Sequence, residues 1–188
     1  MTRKLAIFEK SDQLALLAAC EIANGGRGDP EFVPIWLMMR CGMHPSDISD
    51  AKDIIKINGQ FIEWRRAKNE EPRRELVPKD VMPRLINWLK KGRKLRRQGY
   101  FELVRRVGER VGHPEYSPMS LRHTFCDEML EKYKDNPDPI RLVARLMGCS
   151  EEVVLDNYLS LDQWKRSKRN ESIASDEMAE DAKERPIA

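Results

Sequence analysis

The sequence predicts an α+β domain dominated by helix, with a small antiparallel sheet of two or three strands set between helices. Three observations predict it. Apolar runs at helical spacing, punctuated by glycine and proline, fill both ends of the chain. The middle stretch DIIKINGQFIEWRRAK instead reads as two strands joined at Asn58-Gly59, a strong hairpin signal. Helices then resume without a second strand-rich region, so the sheet is small and the helices build the core.

Each element has its own local reason. Ser11 is a plausible N-cap for the apolar run LALLAACEIA, and Gly25-Gly26 stop it. Asp29-Pro30 opens a second helix, EFVPIWLMMR, with proline suited to a first helical position. That run is apolar nearly all round, so the helix belongs at the centre of the core, and it ends before Gly42. After the hairpin, Asn69-Glu70-Glu71-Pro72 reads as a turn, and RRELVP as a short third strand. Helices follow over VMPRLINWLKKGRKLRR, YFELVRRVGERVG and SLRHTFCDEMLEKY. Past the break DNPDP come IRLVARLM and SEEVVLDNYLSL, the last with Ser150 as N-cap and acidic residues in its first turn. The expected organisation is one domain over residues 1–164 and a charged, flexible tail over 165–188.

Composition bounds the function classes. The chain has 188 residues, 40% hydrophobic and 35% charged, enough for a real core and too apolar for general disorder. No apolar run is long enough to span a bilayer, and MTRKLAIFEKSDQ lacks the features of a secretory signal. The expected location is therefore the cytoplasm. Net charge is only +3, but it is unevenly spread. The last eighteen residues hold six acidic and two basic side chains, so residues 1–170 carry +7. Between Arg84 and Arg110 lie ten Lys or Arg and two Glu. Such a block, with Arg93, Lys94, Arg96 and Arg97 at its centre, fits a polyanion partner or a solvated helix face.

The four cysteines, Cys20, Cys41, Cys126 and Cys149, are widely spaced in apolar segments. Cys41 with His44, and His123 with Cys126, have spacing that a zinc site can use. Neither pair has the surrounding composition of a zinc knuckle. Buried, reduced thiols are the better reading, and no metal is expected.

An ordered set of motifs sharpens this. Leu121-Arg122-His123-Thr124-Phe125 lies in a predicted helix, Leu146-Met147-Gly148-Cys149 follows, and Tyr158 comes nine residues later. Upstream stands Cys41-Gly42-Met43-His44-Pro45-Ser46-Asp47-Ile48, and Lys68 lies in the hairpin segment EWRRAKNEEPRRELVP. Over roughly residues 8 to 162 the chain resembles the catalytic domain of a tyrosine recombinase (phage integrase), of a short archaeal or mobile-element type. That family shows H-x-L-R-H-T-F, then L-G-H, then tyrosine at this gap, and T-G-L-R-x-S-E-L upstream. The resemblance implies site-specific DNA recombination or integration through a covalent 3′-phosphotyrosine intermediate, without metal or nucleotide cofactor. Double-stranded DNA is the implied partner, with self-association on DNA through the tail and a nucleoid-associated location. No separate N-terminal DNA-clamping domain precedes residue 8, so the expectation is a minimal catalytic domain or a piece of a longer integrase.

The resemblance also implies roles. Tyr158 is the nucleophile, Arg122 the second phosphate-clamping arginine, and Lys68 the general acid for the leaving oxygen. Three positions depart from the pattern. His44 stands at the first arginine, Met119 at the histidine before Arg122, and Cys149 at the histidine of L-G-H. Met119 makes no strong hydrogen bond and Cys149 is a weak donor. Losing one transition-state donor costs about 10²–10³ in rate. A catalytically impaired relative that binds DNA is therefore the alternative reading. Two residues are expected to compensate. Arg40 is to reach the site on its long stem, and His44, when protonated beside a phosphate, is to supply one charge. Arg65 and Arg66 flank the hairpin lysine and are expected on the DNA backbone. His123 is expected in the core.

Overall fold

The computed structural model describes residues 8, 10–22, 29–66, 69–91 and 95–157. Among them the order is α1 (Lys10–Ile22), α2 (Asp29–Arg40), α3 (Pro45–Ser49), α4 (Ala51–Ile54), β1 (Lys56–Asn58), β2 (Phe61–Arg66) and β3 (Asn69–Leu76). Then come α5 (Val81–Lys91), α6 (Arg97–Arg110), α7 (Pro118–Lys132), α8 (Pro139–Met147) and α9 (Glu151–Asn157). The three strands form one antiparallel sheet in the order β1-β2-β3. The mostly helical α+β class read from the sequence is thus the class observed.

The core is built around α2. Every residue from Glu31 to Met39 is buried, and α1, α5, α6 and α7 all pack against this helix. Its neighbours offer apolar stripes at helical spacing: Val81, Leu85 and Trp88 on α5, and Tyr100, Leu103, Val104 and Val107 on α6. A second, smaller cluster lies beneath α7, α8 and α9, formed by Phe125, Cys126, Val143, Ala144, Met147 and Val154. The carboxylate buried on α2, Glu31, is answered from α6 by Arg110 at 2.6 Å and Arg106 at 3.0 Å. Burial alone pushes its pKa up, but hydrogen bonds and charge from Arg110 and then Arg106 outweigh that, and the net shift is downward.

Four boundaries differ from the sequence reading. Helix α1 starts at Lys10, so Ser11 lies inside its first turn rather than capping it. Asp53 and Ile54 belong to α4, which leaves β1 only three residues. The stretch Asn69–Pro72 is strand, not turn. The β2–β3 register shifts between Trp64↔Arg73 and Arg66↔Asn69, so Pro72 falls in this irregular stretch of an edge strand, where a missing N–H is tolerated. Finally, α5 ends at Lys91, and Leu95 and Arg96 are non-helical ahead of α6. A run of good helix formers hid that break. Ser150 behaves as read: its Oγ accepts from the Val153 N–H at 3.4 Å. The segment 165–188 lies outside the described residues.

Candidate functional site

Helix α7 opens with a reciprocal cap. Ser117 Oγ accepts from the Ser120 N–H at 3.2 Å, Ser120 Oγ accepts from the Ser117 N–H at 3.3 Å, and Pro118 takes the first position. The sequence looks amphipathic here, yet Ser120 to Cys126 are all buried, because α2 and α8 pack on this helix and the Cys41–His44 segment approaches it. Arg122 is only 3% exposed. Its Nη1 donates to the Gly42 carbonyl, while its buried Nε has no partner among the described residues. That close approach requires glycine. Gly42 has φ +60°, and a Cβ there would lie 2.5 Å from the ring of Phe125, one turn along from Arg122.

Two residues beyond Gly42, His44 caps α3. Its N–H donates to Asp47 Oδ2 at 3.2 Å, and its Nδ1 accepts from the Ser46 N–H at 3.2 Å. The same Nδ1 lies 2.7 Å from Ser46 Oγ. Arg40 is placed differently from the expectation. Its Nη1 contacts both oxygens of Glu128 at 3.1 and 3.2 Å, and Gln13 donates to the same carboxylate at 2.8 Å. Glu128 lies six residues beyond Arg122, about 9 Å along the helix axis. The guanidinium of Arg40 thus ties α2 to α7 and does not stand over Arg122.

His123 is the core histidine expected: 6% exposed, with its pKa pushed down to about 4 by burial and then by the Arg122 charge. Met119 and Cys149 both pack on the apolar cluster beneath α7 and α8. Gly148 ends α8 in the left-handed region at φ +61°, and the Cys149 N–H turns back to the Ala144 carbonyl at 3.1 Å. Burial lifts the thiol of Cys126 to about 12, with Cys149 adding to the rise, and pushes Cys41 well up too. Arg65 is exposed on β2, and Arg66 ends that strand, its side chain outside the described residues. Arg96 is the exposed N-cap of α6, and Arg97 begins it, 5.9 Å over the Phe101 ring. Tyr158, Lys68, Arg93 and Lys94 lie outside the described residues. Lys68 falls between the end of β2 and the start of β3, and Tyr158 directly follows α9.

The structure therefore gathers Arg122, the Gly42–His44 segment, Met119 and Cys149 around the first half of α7. It also forms a cleft that sequence reasoning missed. β3 and α8 face each other across about 1260 Å³, with Arg73, Arg74, Arg141 and Arg145 on the walls and Cys41, Phe125 and Cys149 among the lining. Arg73 Nη2 donates to the Arg145 carbonyl at 3.1 Å, across 72 residues of sequence. The one local signal was the Arg141/Arg145 pair, four apart on the polar face of α8.

The fold has known counterparts. The model covers the XerA recombinase crystal structure with a TM-score of 0.63 at 14% identity, over 89% of this chain and 65% of that one. It matches the XerH site-specific recombinase, solved bound to its palindromic difH substrate as a post-cleavage complex, with a TM-score of 0.64 at 14% identity, over 89% of this chain and 53% of that one. In sequence, 58 residues are 36% identical to tyrosine recombinase XerC of Herpetosiphon aurantiacus.

The fold is that of a tyrosine recombinase catalytic domain.

No protein-family model matches the chain. The XerC match spans 31% of this chain and 18% of that relative, and the structural matches span 65% and 53% of the recombinases. Within the recombinase fold, the helix carrying Arg122 and the loop carrying His44 meet through one main-chain hydrogen bond, from Arg122 to Gly42. Among the described residues no group of three or more His, Cys, Asp or Glu is placed to hold a metal ion, and no helix is long and apolar enough to cross a membrane.

Proposed function

We propose that this chain cuts and rejoins DNA at specific sites through a covalent 3′-phosphotyrosine. The Tyr158 oxygen forms a bond to phosphorus, the bond from phosphorus to the 5′-oxygen breaks, and Lys68 gives the departing oxygen its proton. The reverse step, with a different strand's 5′-hydroxyl, joins new partners and needs no nucleotide energy source. Arg122 stabilises the charge that spreads over the phosphate oxygens. One observation carries this reading. A guanidinium 97% removed from solvent keeps an Nε with no partner among the described residues. Leaving a buried charged donor unsatisfied is costly, and a phosphate oxygen is the acceptor that would satisfy it.

A second reading has its own support. Met119 and Cys149 pack into an apolar cluster, His44 is committed to capping α3, and Arg40 to Glu128. These four positions offer little to a transition state, which fits a relative that binds DNA without cutting it. Nicked suicide duplexes built from the DNA flanking its own gene separate the two. A covalent adduct on a denaturing gel, absent in Tyr158→Phe, supports cleavage. Salt-sensitive duplex binding with no adduct supports the binding protein, and no salt-sensitive binding overturns both.

A further inference from the structure

Helix α5 is apolar on two sides. Val81, Leu85 and Trp88 are buried in the core. Met82, Ile86 and Lys90 follow one another at one-turn intervals on another side of the helix. With Pro83, that second stripe walls a groove of about 500 Å³. We propose that the groove is a docking site for an acidic amphipathic helix of a partner protein.

The groove is preformed by main-chain hydrogen bonds. Its other wall is Gln60, in the turn between β1 and β2, and Val77, just past β3. The Val77 N–H donates to the Gln60 carbonyl at 2.9 Å, which pins the two together. The Val81 and Met82 N–H groups donate to the Pro78 carbonyl at 3.1 and 3.0 Å, which fixes the start of α5 beside them. A surface held this way costs little to order when a partner arrives. Ile86 is half-exposed and packs on neither apolar cluster among the described residues, and Pro83 beside the stripe is exposed. Contiguous apolar surface rimmed by charge marks an interaction site, where a scattered isoleucine does not.

Charge selects the partner. Lys79 precedes α5 and Lys90 lies in its last turn, so exposed cations flank the apolar floor toward both ends of the helix. No acidic side chain is among the lining, and neither lysine forms an ion pair among the described residues. From Met82 to Lys90 the stripe runs about 12 Å along the helix axis. A helix laid along it with apolar anchors one turn apart, and carboxylates beyond them, meets both the floor and the lysines. A small molecule fits less well. Gln60, Lys79, Pro83 and Lys90 are all exposed, so the groove is open to solvent, whereas a small-molecule site covers most of its ligand. Duplex DNA brings charge but no apolar surface for Met82 and Ile86 to cover. The groove shares no lining residue with the site around Arg122 or with the arginine-walled cleft.

The probe is a fluorescein-labelled helical peptide with leucines at i, i+4 and i+7 and glutamates flanking them, titrated with the full chain by anisotropy. Saturable binding is expected. It should weaken at least about tenfold in Ile86→Asp, and by a similar factor in Lys79→Glu/Lys90→Glu, both exposed positions. Arg105→Glu, on the exposed face of α6, should leave it unchanged. Urea midpoints matching the parent's separate lost docking from lost folding, and the double lysine variant carries the test if Ile86→Asp unfolds. Five outcomes overturn the proposal: no saturable binding, equal binding by all variants, equal binding of a peptide whose leucines are serines, displacement by duplex DNA more readily than by unlabelled peptide, or equally ready displacement by a synthetic peptide of residues 171–188. The last would assign the groove to this chain's own acidic segment.

Discussion

Arg122 is a buried guanidinium, and the two sulfur side chains Met119 and Cys149 pack on the apolar cluster beneath α7 and α8. Burial pushes Cys20 and Cys126 up to about 12 and Cys41 well up, whereas Cys149 is half-buried on the lining of the cleft. A maleimide should therefore label one thiol rapidly in the native protein, at Cys149, and the other three only after denaturant, as read by intact mass. Cys149 is also the position where one donor is most readily restored. Cys149→His should raise the rate of covalent DNA adduct formation by about 10², the scale of one transition-state donor, measured in single-turnover cleavage. No gain would mean that this position does not reach the reacting phosphate. The histidine in the core was legible from sequence, since a neighbour of Arg122 on a helix must point elsewhere. The fate of Arg40 was not. Its partner Glu128 lies 88 residues away, and no local pattern announces a long-range ion pair.

Among the elements, α7 and the loop at Gly42 depend on each other. The helix cap, the buried stretch Ser120–Cys126 and the Arg122–Gly42 hydrogen bond fix one another's positions. Gly42→Ala would force a side chain into the left-handed region and against the Phe125 ring. It should cost about 2–4 kcal/mol in chemical denaturation, combining the backbone and overpacking penalties. Gly59→Ala, at φ +62° with open space around it, should cost only the backbone part, about 1 kcal/mol. Two elements could be read in advance because each carries its own evidence: Asp29-Pro30 for α2 and Asn58-Gly59 for the first turn of the sheet. The failures share a cause. Acidic residues and a proline disguise the first half of β3, where the register irregularity absorbs them, and a basic stretch of helix formers disguises the gap between α5 and α6. The arginine-walled cleft was hidden for another reason: its walls meet only when β3 and α8 fold together.

For the whole molecule, buried titratable groups set how stability follows pH. His123 has its folded pKa lowered from 6.5 to about 4, so the unfolded chain takes up the proton first. Its contribution is complete above 6.5 and is lost as pH falls from there toward 4, about 3 kcal/mol in all. Glu31, whose pKa is lowered, adds a loss at still lower pH. Urea titrations between pH 7 and 4 should show this decline, and His123→Gln should flatten its upper part. The proposed DNA contact belongs to the same scale. The basic residues run from β2 through Arg96 and Arg97 to α8, so binding should weaken steeply with salt. The central claim is that Tyr158 carries a DNA strand on its side chain. Recover any covalent adduct formed on a nicked duplex, digest the protein, and locate the nucleotide by mass spectrometry. The account predicts the phosphate on the peptide containing Tyr158. A phosphate on any other residue, or duplex binding that never yields an adduct, would contradict it.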